Sequence, residues 1–340
     1  VVFRLTLGHA EMGTAWIRTN IGHAHEHRRE IIEHVELQKP ILSRDWHDIP
    51  MQAEDDGVHF HLEVPLAEVG RFEAKAFFLP EGMHDPLWPE GDNIVFKVEP
   101  TSSVCGNTLY TAFVRQFGPH MKNREVPPQR LETIKQLDAA GYTVIPKSGT
   151  FRKLMGALDH IIGTMGFRII QLLPIHPVPT TYARMGRFGS PFASIDFFDV
   201  DPALAEFDRK TTPLDQFGEF VDAVHARDAR VFLDLPINHT GWASHLQIHH
   251  PDWFARNHDA SFMSPGAWGV TWEDLSELNY DHRELWQYMA DVFLFWCRRG
   301  VDGFRCDAGY MVPLPVWEYI VAKGREEYPE TLFLLEVLGG

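Results

Sequence analysis

Residues 301–310, VDGFRCDAGY, form an apolar β-type run that ends on Asp307, with Arg305 two positions before it. Residues 332–340, LFLLEVLGG, form a second apolar run, and Glu336 lies where its strand-like part ends. A helix-like segment, residues 313–329, separates the two runs. The order strand, helix, strand predicts two parallel neighbours, and the C-terminal ends of such strands form one face of a barrel. We therefore expect Asp307 and Glu336 to lie close together.

The same alternation of strand and helix extends from residue 107 to residue 340. A helix is predicted to begin at Thr212 with Pro213 in its first turn. Apolar strands are predicted near residues 109–115, 168–173, 231–235, 301–306 and 331–336. Uniformly apolar strands that alternate with helices indicate a parallel sheet covered on both faces. A closed barrel needs eight strands. We therefore predict that residues 107–340 are the N-terminal part of a (β/α)8 TIM barrel, truncated after about its first five strands.

Residues 1–106 have a different pattern. The segments 59–66, 71–82 and 93–100 alternate apolar and polar residues between Gly and Pro turns. Such alternation is typical of antiparallel sheets with one wet face. We predict an all-β sandwich as an N-terminal domain. Residues 28–39 fit either a helix or a polar strand.

Composition excludes several classes of partner. The formal net charge of −16 argues against nucleic acid and against anionic membranes, because both attract basic surfaces. No run is long and apolar enough to span a bilayer. The three cysteines, Cys105, Cys297 and Cys306, indicate buried thiols rather than a disulfide framework. We expect a cytoplasmic protein, although secretion stays open because the chain begins at Val1.

Three polar clusters follow predicted strands: residues 234–239 (DLPINH), residues 303–307 (GFRCD) and Glu336. Paired carboxylates at short distance are what retaining glycoside hydrolysis requires. In this order the clusters resemble the α-amylase family, glycoside hydrolase family 13, whose motifs are D-x-x-x-N-H, G-F-R-x-D and a Glu after an apolar run. The segments 109–118, 169–177, 190–202 and 274–280 also resemble family motifs. The resemblance covers residues 107–340.

The resemblance implies a role for each residue of the catalytic group. Asp307 would be the nucleophile that forms a glycosyl-enzyme, and Glu336 the general acid and then base. Arg305 would keep Asp307 ionised, because a cation in contact lowers the pKa of a carboxyl group. Glu336 would need a raised pKa, for which the apolar run LFLL is suited.

Other positions would bind substrate or metal. By the same resemblance, His239 would bind hydroxyl groups of the sugar in subsite −1, and Asp234 would support the site from behind. Phe192 stands where the family usually has Tyr and would stack on the sugar ring, although core packing is an equal alternative. No cofactor is required, but the position of Asn238 binds calcium in many family members.

The implied substrate is an α-glucan such as starch, glycogen or a maltooligosaccharide. Retaining hydrolysis of α-1,4 bonds is the first expectation. A 4-α-glucanotransferase, including the transferase of a glycogen-debranching enzyme, is the alternative, and a non-catalytic glucan-binding relative is a third hypothesis. The sequence departs from the family pattern in two ways. Residues 308–310 are Ala-Gly-Tyr where many amylases have Lys-His, and the family's third carboxylate would lie beyond Gly340.

Overall fold

The computed structural model describes residues 1–101, 107–118, 128–140 and 148–337 of the 340-residue chain. The chain divides into two compact units. One comprises Val1–Gly106 with Arg325–Glu330, and the other comprises Asn107–Gly324 with Thr331–Gly340. Cys105 lies outside the described residues, whereas Cys297 and Cys306 are buried thiols.

The first unit contains two antiparallel sheets. Its strands are Val2–Thr6 (β1), Gly13–Thr19 (β2), His47–Pro50 (β3), Gln52–Ala53 (β4), His59–Glu63 (β5), Gly70–Pro80 (β6) and Ile94–Val98 (β7). One sheet has the order β1-β5-β4 and the other β3-β2-β6-β7. Phe3 and Phe60 from the smaller sheet share a core with Ile17, Phe72 and Phe78 from the larger one. Alternate residues face this core because side chains on a strand point to opposite faces in turn.

The segment that fitted either a helix or a strand is a helix, Ala24–Leu37 (α1). It ends at Gln38, whose φ of 55° places it in the left-handed region that commonly terminates helices. Ala24 and Val35 are its buried residues, so only a narrow stripe of the helix surface is covered by other residues.

A parallel sheet organises the second unit. The strands after residue 107 are Leu109–Ala112 (β8), Ile169–Leu172 (β9), Arg230–Pro236 (β10), His239–Gly241 (β11), Gly266–Ala267 (β12), Val270–Thr271 (β13), Leu275–Glu277 (β14), Gly303–Asp307 (β15) and Leu332–Leu335 (β16). The five strands β8, β9, β10, β15 and β16 pair in parallel, in that order. Each of the five predicted strand positions therefore holds a strand. Short antiparallel pairs, β11 with β14 and β12 with β13, lie in the connection between β10 and β15.

Helices occupy the connections of this sheet. They are Pro128–Ala139 (α2), Phe151–Met155 (α3), Pro213–His225 (α4), His245–His249 (α5), Arg283–Cys297 (α6) and Leu314–Glu327 (α7). Helix α4 begins as predicted, since Thr212 and Asp215 form a reciprocal capping box and Pro213 occupies the first turn. Among the described helices, none is both long and apolar enough to cross a membrane.

The pairing of β10 with β15 sets the register of the polar residues. Asp234 lies opposite Arg305, and Pro236 lies opposite Asp307. At the start of β15, a Cβ atom on Gly303 would lie 2.5 Å from Cζ of the fully buried Phe232. Glycine at this position therefore lets the Phe232 ring pack against β15 while the two strands keep their register.

We predict that Gly303→Ala lowers the free energy of unfolding of the complete protein by about 1–3 kcal/mol, the usual cost of overpacking a core. Because the obstacle is the Phe232 ring, adding Phe232→Leu should recover part of the loss. Gly218→Ala in α4 is the matched control, since no described atom outside the helix's own backbone lies within 4 Å of its added Cβ. Urea unfolding measures all three variants. A neutral Gly303→Ala, or a double variant less stable than the single one, would contradict this account.

Candidate active site

The predicted catalytic residues meet at the C-terminal edge of the parallel sheet. Asp307 is the last residue of β15, and Glu336 directly follows β16. Asp234 lies within the neighbouring strand β10. Parallel pairing brings these strand ends to the same edge, so residues distant in sequence become neighbours.

The guanidinium group of Arg305 contacts all three carboxylates. Its Nη1 donates to Oδ1 and Oδ2 of Asp234 at 3.0 and 2.9 Å, and to Oδ1 of Asp307 at 2.5 Å. Its Nη2 lies 2.9 Å from Oε2 of Glu336. Arg305 and Asp307 point to the same side of β15 because they are two residues apart. One cation therefore holds the predicted nucleophile and the predicted acid within the reach of a single side chain.

Glu336 lies in a more polar setting than its apolar strand suggested. Besides the contact with Arg305, its Oε2 accepts the backbone N–H of Ala308 at 2.9 Å. Ala308 has a φ of 46°, in the left-handed region that is uncommon for residues other than glycine. The expectation of an apolar surrounding was wrong, because the Glu336 side chain is about one-third exposed and is bound by a guanidinium group and a backbone N–H. With Oε2 held by two donors, Oε1 is the oxygen available to carry a proton.

Burial and charge act in opposite directions on Asp307. Burial raises the pKa of Asp307 and the contact with Arg305 lowers it, while the nearby Glu336 raises it further. The net direction is upward. Arg305 therefore offsets the cost of burial without holding the pKa below its ordinary value, as the sequence had suggested it would.

Asp234 has the larger shift. Burial raises its pKa to about 7, against the opposing effect of Arg305 and with a further increase from Asp307 and Glu336. Its side chain is almost fully buried, and Gln171 Nε2 lies 3.4 Å from its Oδ2. Three carboxylates around one cation leave an excess of negative charge. Near neutral pH, a proton on Asp234 reduces that excess.

His239 is neutral and fixed in one tautomer. Its Nε2 lies 3.0 Å from the carbonyl oxygen of Phe192, a contact that requires the hydrogen to be on Nε2. Burial lowers the pKa of His239 to about 4. Its Nδ1 is buried and has no hydrogen-bond partner among the described residues. The sugar-binding roles of His239 and of the Phe192 ring remain predictions.

Asn238 offers one of the ligands that a calcium ion needs. Its Oδ1 is buried and has no partner, but its Nδ2 contacts Sδ of Met311 at 3.3 Å. Calcium takes six to eight oxygen ligands, and a thioether is not one of them. Within the described ranges, the one group of three acidic or His side chains with metal-ligand spacing is Glu54, Asp56 and His59, in the other unit. One oxygen of Asn238 is thus without a partner among the described residues, and the calcium role of Asn238 stays a prediction.

A cleft of about 300 Å³ opens beside the carboxylates. It is lined by Met185, Ser190, Phe192, His239, Trp268, Trp272, Asp274, Leu275, Asp307, Ala308, Tyr310 and Glu336. Sequence reasoning placed no role on Trp268, Trp272 or Asp274. The two tryptophans lie in the connection after β10, where no strand periodicity marks a residue as facing the site. Asp274 begins the segment 274–280, which resembles a family motif. That resemblance was the sequence signal that could have identified Asp274 as a residue of the site.

Comparison with known proteins gives consistent results. The family model described as "Alpha amylase, catalytic domain" matches residues 138–332, more than half of the chain. The α-1,4-glucan:maltose-1-phosphate maltosyltransferase of Burkholderia pseudomallei is 32% identical over 224 residues, covering 58% of this chain and 19% of that protein. This chain therefore spans about a fifth of the length of that relative.

Solved structures agree on the fold. An α-amylase from Lactobacillus plantarum is 31% identical, with a TM-score of 0.54, and the match covers 69% of this chain and 46% of the other. The native form of the Nostoc punctiforme debranching enzyme is 22% identical, with a TM-score of 0.51 and coverage of 72% and 50%. At that identity the second likeness concerns the fold alone.

The raised pKa of Asp234 predicts a pH-dependent stability. Between about pH 4 and pH 7 the folded state holds a proton that the unfolded state releases, so this group lowers the free energy of unfolding as the pH rises. Asp234→Asn removes the titration. We expect the variant to gain stability relative to the natural protein across this window, on the order of 3 kcal/mol, since one pKa unit is about 1.4 kcal/mol.

Urea unfolding of the complete protein at pH 4, 5.5 and 7 measures this difference. His176 and His239, whose pKa values burial lowers to about 4, titrate in both proteins and cancel. Asp291→Asn, the same substitution at an exposed carboxylate of α6, is the matched control. A difference between Asp234→Asn and the natural protein that stays constant with pH, or that falls as the pH rises, would refute the assignment.

Proposed function

The chain belongs to the α-amylase family of enzymes, and from this we propose that the complete protein cleaves α-linked glucans with retention of configuration. The observation that carries the proposal is the contact of one guanidinium group, that of Arg305, with both Asp307 and Glu336. Retaining glycosidases need two carboxyl groups at short distance, one as nucleophile and one as acid. The residues that match the family's two roles are the two that Arg305 holds together.

In the first step Asp307 attacks the anomeric carbon while Glu336 gives a proton to the departing oxygen. Asp307 can attack through Oδ2, because its Oδ1 accepts the hydrogen bond from Arg305. Glu336 can donate from Oε1, because its Oε2 is occupied by Arg305 and Ala308. The glycosidic bond breaks, an ester to Asp307 forms, and the aglycone leaves with the proton.

In the second step Glu336 is the base. It takes the proton of an incoming hydroxyl group, whose oxygen bonds to the anomeric carbon as the ester bond to Asp307 breaks. Arg305 stays in contact with both carboxylates, so the negative charge that returns to Asp307 is stabilised. Asp234, bound by the same Nη1 as Asp307, keeps the guanidinium group in place and can hold the excess proton of the cluster.

The neutral His239 and the Phe192 ring would bind the sugar next to Asp307. His239 lines the cleft as a neutral ring. Phe192 lines the same cleft, and its backbone oxygen fixes the His239 ring. This pair supports an assignment of the glycosyl-binding subsite to the His239 side of the cleft.

The acceptor in the second step distinguishes two candidate activities. Hydrolysis of α-1,4 bonds uses water, and a 4-α-glucanotransferase, including one of glycogen-debranching type, uses a sugar hydroxyl group. The similarity to the Burkholderia maltosyltransferase favours transfer, and that to the Lactobacillus α-amylase favours hydrolysis. A non-catalytic glucan-binding protein is disfavoured, because such a relative has no need to hold Arg305, Asp307 and Glu336 in contact.

The fold of the complete protein is part of the same proposal. The five parallel strands would be the first five of a (β/α)8 barrel, as the family's catalytic domain implies. The two sheets of residues 1–106, which share one apolar core, would form a β-sandwich domain.

We predict that Asp307→Asn lowers kcat on maltooligosaccharides by several orders of magnitude in the complete enzyme, while glucan binding persists. The amide keeps the shape of the side chain but cannot form the ester intermediate. Release of reducing ends measures turnover, and calorimetric titration measures binding. Asp291→Asn, at an exposed carboxylate of α6, is the matched control and should retain full activity. Activity of Asp307→Asn close to that of the control would refute the nucleophile.

Product analysis separates the two activities of the natural enzyme. With maltoheptaose, products longer than the substrate indicate transfer, whereas products that are only shorter, with new reducing ends, indicate hydrolysis. In either case the first product formed should have the α configuration, because two displacements restore it. Products of β configuration, or no reaction on any α-glucan, would overturn the proposed function.

A further inference from the structure

A tryptophan occupies the tip of the β12–β13 hairpin at an unfavourable position. Trp268 and Gly269 connect the two strands with φ values of 51° and 79°. Two positive φ values are the pattern of a tight type I′ turn, for which Asn-Gly is the preferred sequence. Trp268 is nevertheless 78% exposed, so core packing does not compensate for its conformation. An exposed aromatic ring in a strained turn indicates a binding role rather than a structural one.

The ring of Trp268 lies at the cleft, next to that of Tyr310. The two ring centroids are 6.4 Å apart and the ring planes are inclined by 42°. Both residues line the cleft together with Asp307 and Glu336. They therefore present two aromatic surfaces to a molecule that occupies the cleft.

Tyr310 is fixed on the side of the predicted acid. Its backbone N–H donates to the backbone oxygen of Glu336 at 3.2 Å, two residues beyond the Ala308 N–H that binds the Glu336 carboxylate. Burial, together with the charges of Glu336 and Asp307, raises the pKa of Tyr310, which is consistent with a phenol close to both groups. His239 and Phe192 are joined to each other by a separate contact. The aromatic pair is thus tied to the acid, whereas the residues assigned to the glycosyl group are tied to one another.

We propose that Trp268 and Tyr310 form the platform that binds the acceptor sugar and so direct the enzyme toward transfer rather than hydrolysis. This inference rests on the proposed function, in which Glu336 marks the side where the aglycone leaves and the acceptor enters. The carbon-bound hydrogens of a pyranose ring present an apolar face, and aromatic rings bind such a surface through contact area and the exclusion of water. A water molecule has no such apolar face, so the platform does not stabilise water at the acceptor position.

The platform favours transfer of the glycosyl group from Asp307 to a sugar hydroxyl group. An acceptor hydroxyl oxygen bonds to the anomeric carbon of the glycosyl-enzyme, and the ester bond to Asp307 breaks. The hydroxyl proton passes to Glu336, and Asp307 leaves as a carboxylate. With water in place of the sugar the same atoms move, so the ratio of the two products reports how often a sugar occupies the acceptor position.

Trp268→Asn in the complete enzyme tests the platform. Asn removes the ring but suits the turn, since Asn-Gly is the sequence that such a hairpin prefers. With maltosyl fluoride as donor and maltose as acceptor, we expect the ratio of transfer to hydrolysis to fall about tenfold, the factor given by about 1.4 kcal/mol of lost contact. Trp268→Phe should restore most of the ratio. Trp88→Ala, at another exposed tryptophan in the first unit, is the control and should leave the ratio unchanged.

Three outcomes would overturn the platform. One is an unchanged ratio in Trp268→Asn, another is an equal loss in Trp268→Phe, and the third is a natural enzyme that forms no transfer product even at high maltose concentration. The third leaves retaining hydrolysis, and so the proposed function, intact. If the natural enzyme acts on no α-glucan, the proposed function fails by itself. In that case maltooligosaccharide titration of the natural protein and of Trp268→Asn decides the platform, through a tenfold weaker Kd or an equal one.

Discussion

The guanidinium group of Arg305 contacts three carboxylates at the C-terminal edge of the parallel sheet, and the geometry of the site depends on it. Without a cation, buried carboxylates of like charge would repel one another and each would favour its protonated form. With one cation among three acids, the compensation is partial. Burial still raises the pKa of Asp307 and takes that of Asp234 to about 7. The arrangement therefore brings together the two residues that we propose as nucleophile and acid, with a protonated carboxyl group beside them near neutral pH.

The sequence predicted the features that depend on local pattern. Apolar runs located the five parallel strands, and Thr212 with Pro213 located the start of α4, because strand periodicity and capping involve residues near one another in the chain. The pairing of Asp307 with Glu336 was also predictable, since each ends a strand and parallel neighbours share an edge. The family motifs added the roles, which position alone would not have given.

Features that arise from contacts between distant segments were not predictable. The sequence around Glu336 is apolar, but its carboxylate is bound by Arg305 and by the Ala308 N–H, which belong to another strand and the turn after it. Likewise, Arg305 was expected to hold the pKa of Asp307 low, but the effect of burial on this pKa is larger than that of Arg305. Burial depends on how distant segments of the second unit pack around the side chain. Trp268 lies at a hairpin tip whose sequence carries no periodic signal. Such residues become candidates only when the structure places them at the cleft.

In the proposed mechanism Asp307 accepts the glycosyl group while Glu336 serves as acid and base. Mass spectrometry of a trapped intermediate tests it most directly. In Glu336→Gln, maltosyl fluoride can still form the ester, because fluoride leaves without a proton, but the missing base slows its breakdown. After proteolysis, we expect a peptide that contains Asp307 and is heavier by one maltosyl group. A label on a different residue, or turnover of the fluoride through a product of β configuration with no labelled peptide, would contradict it.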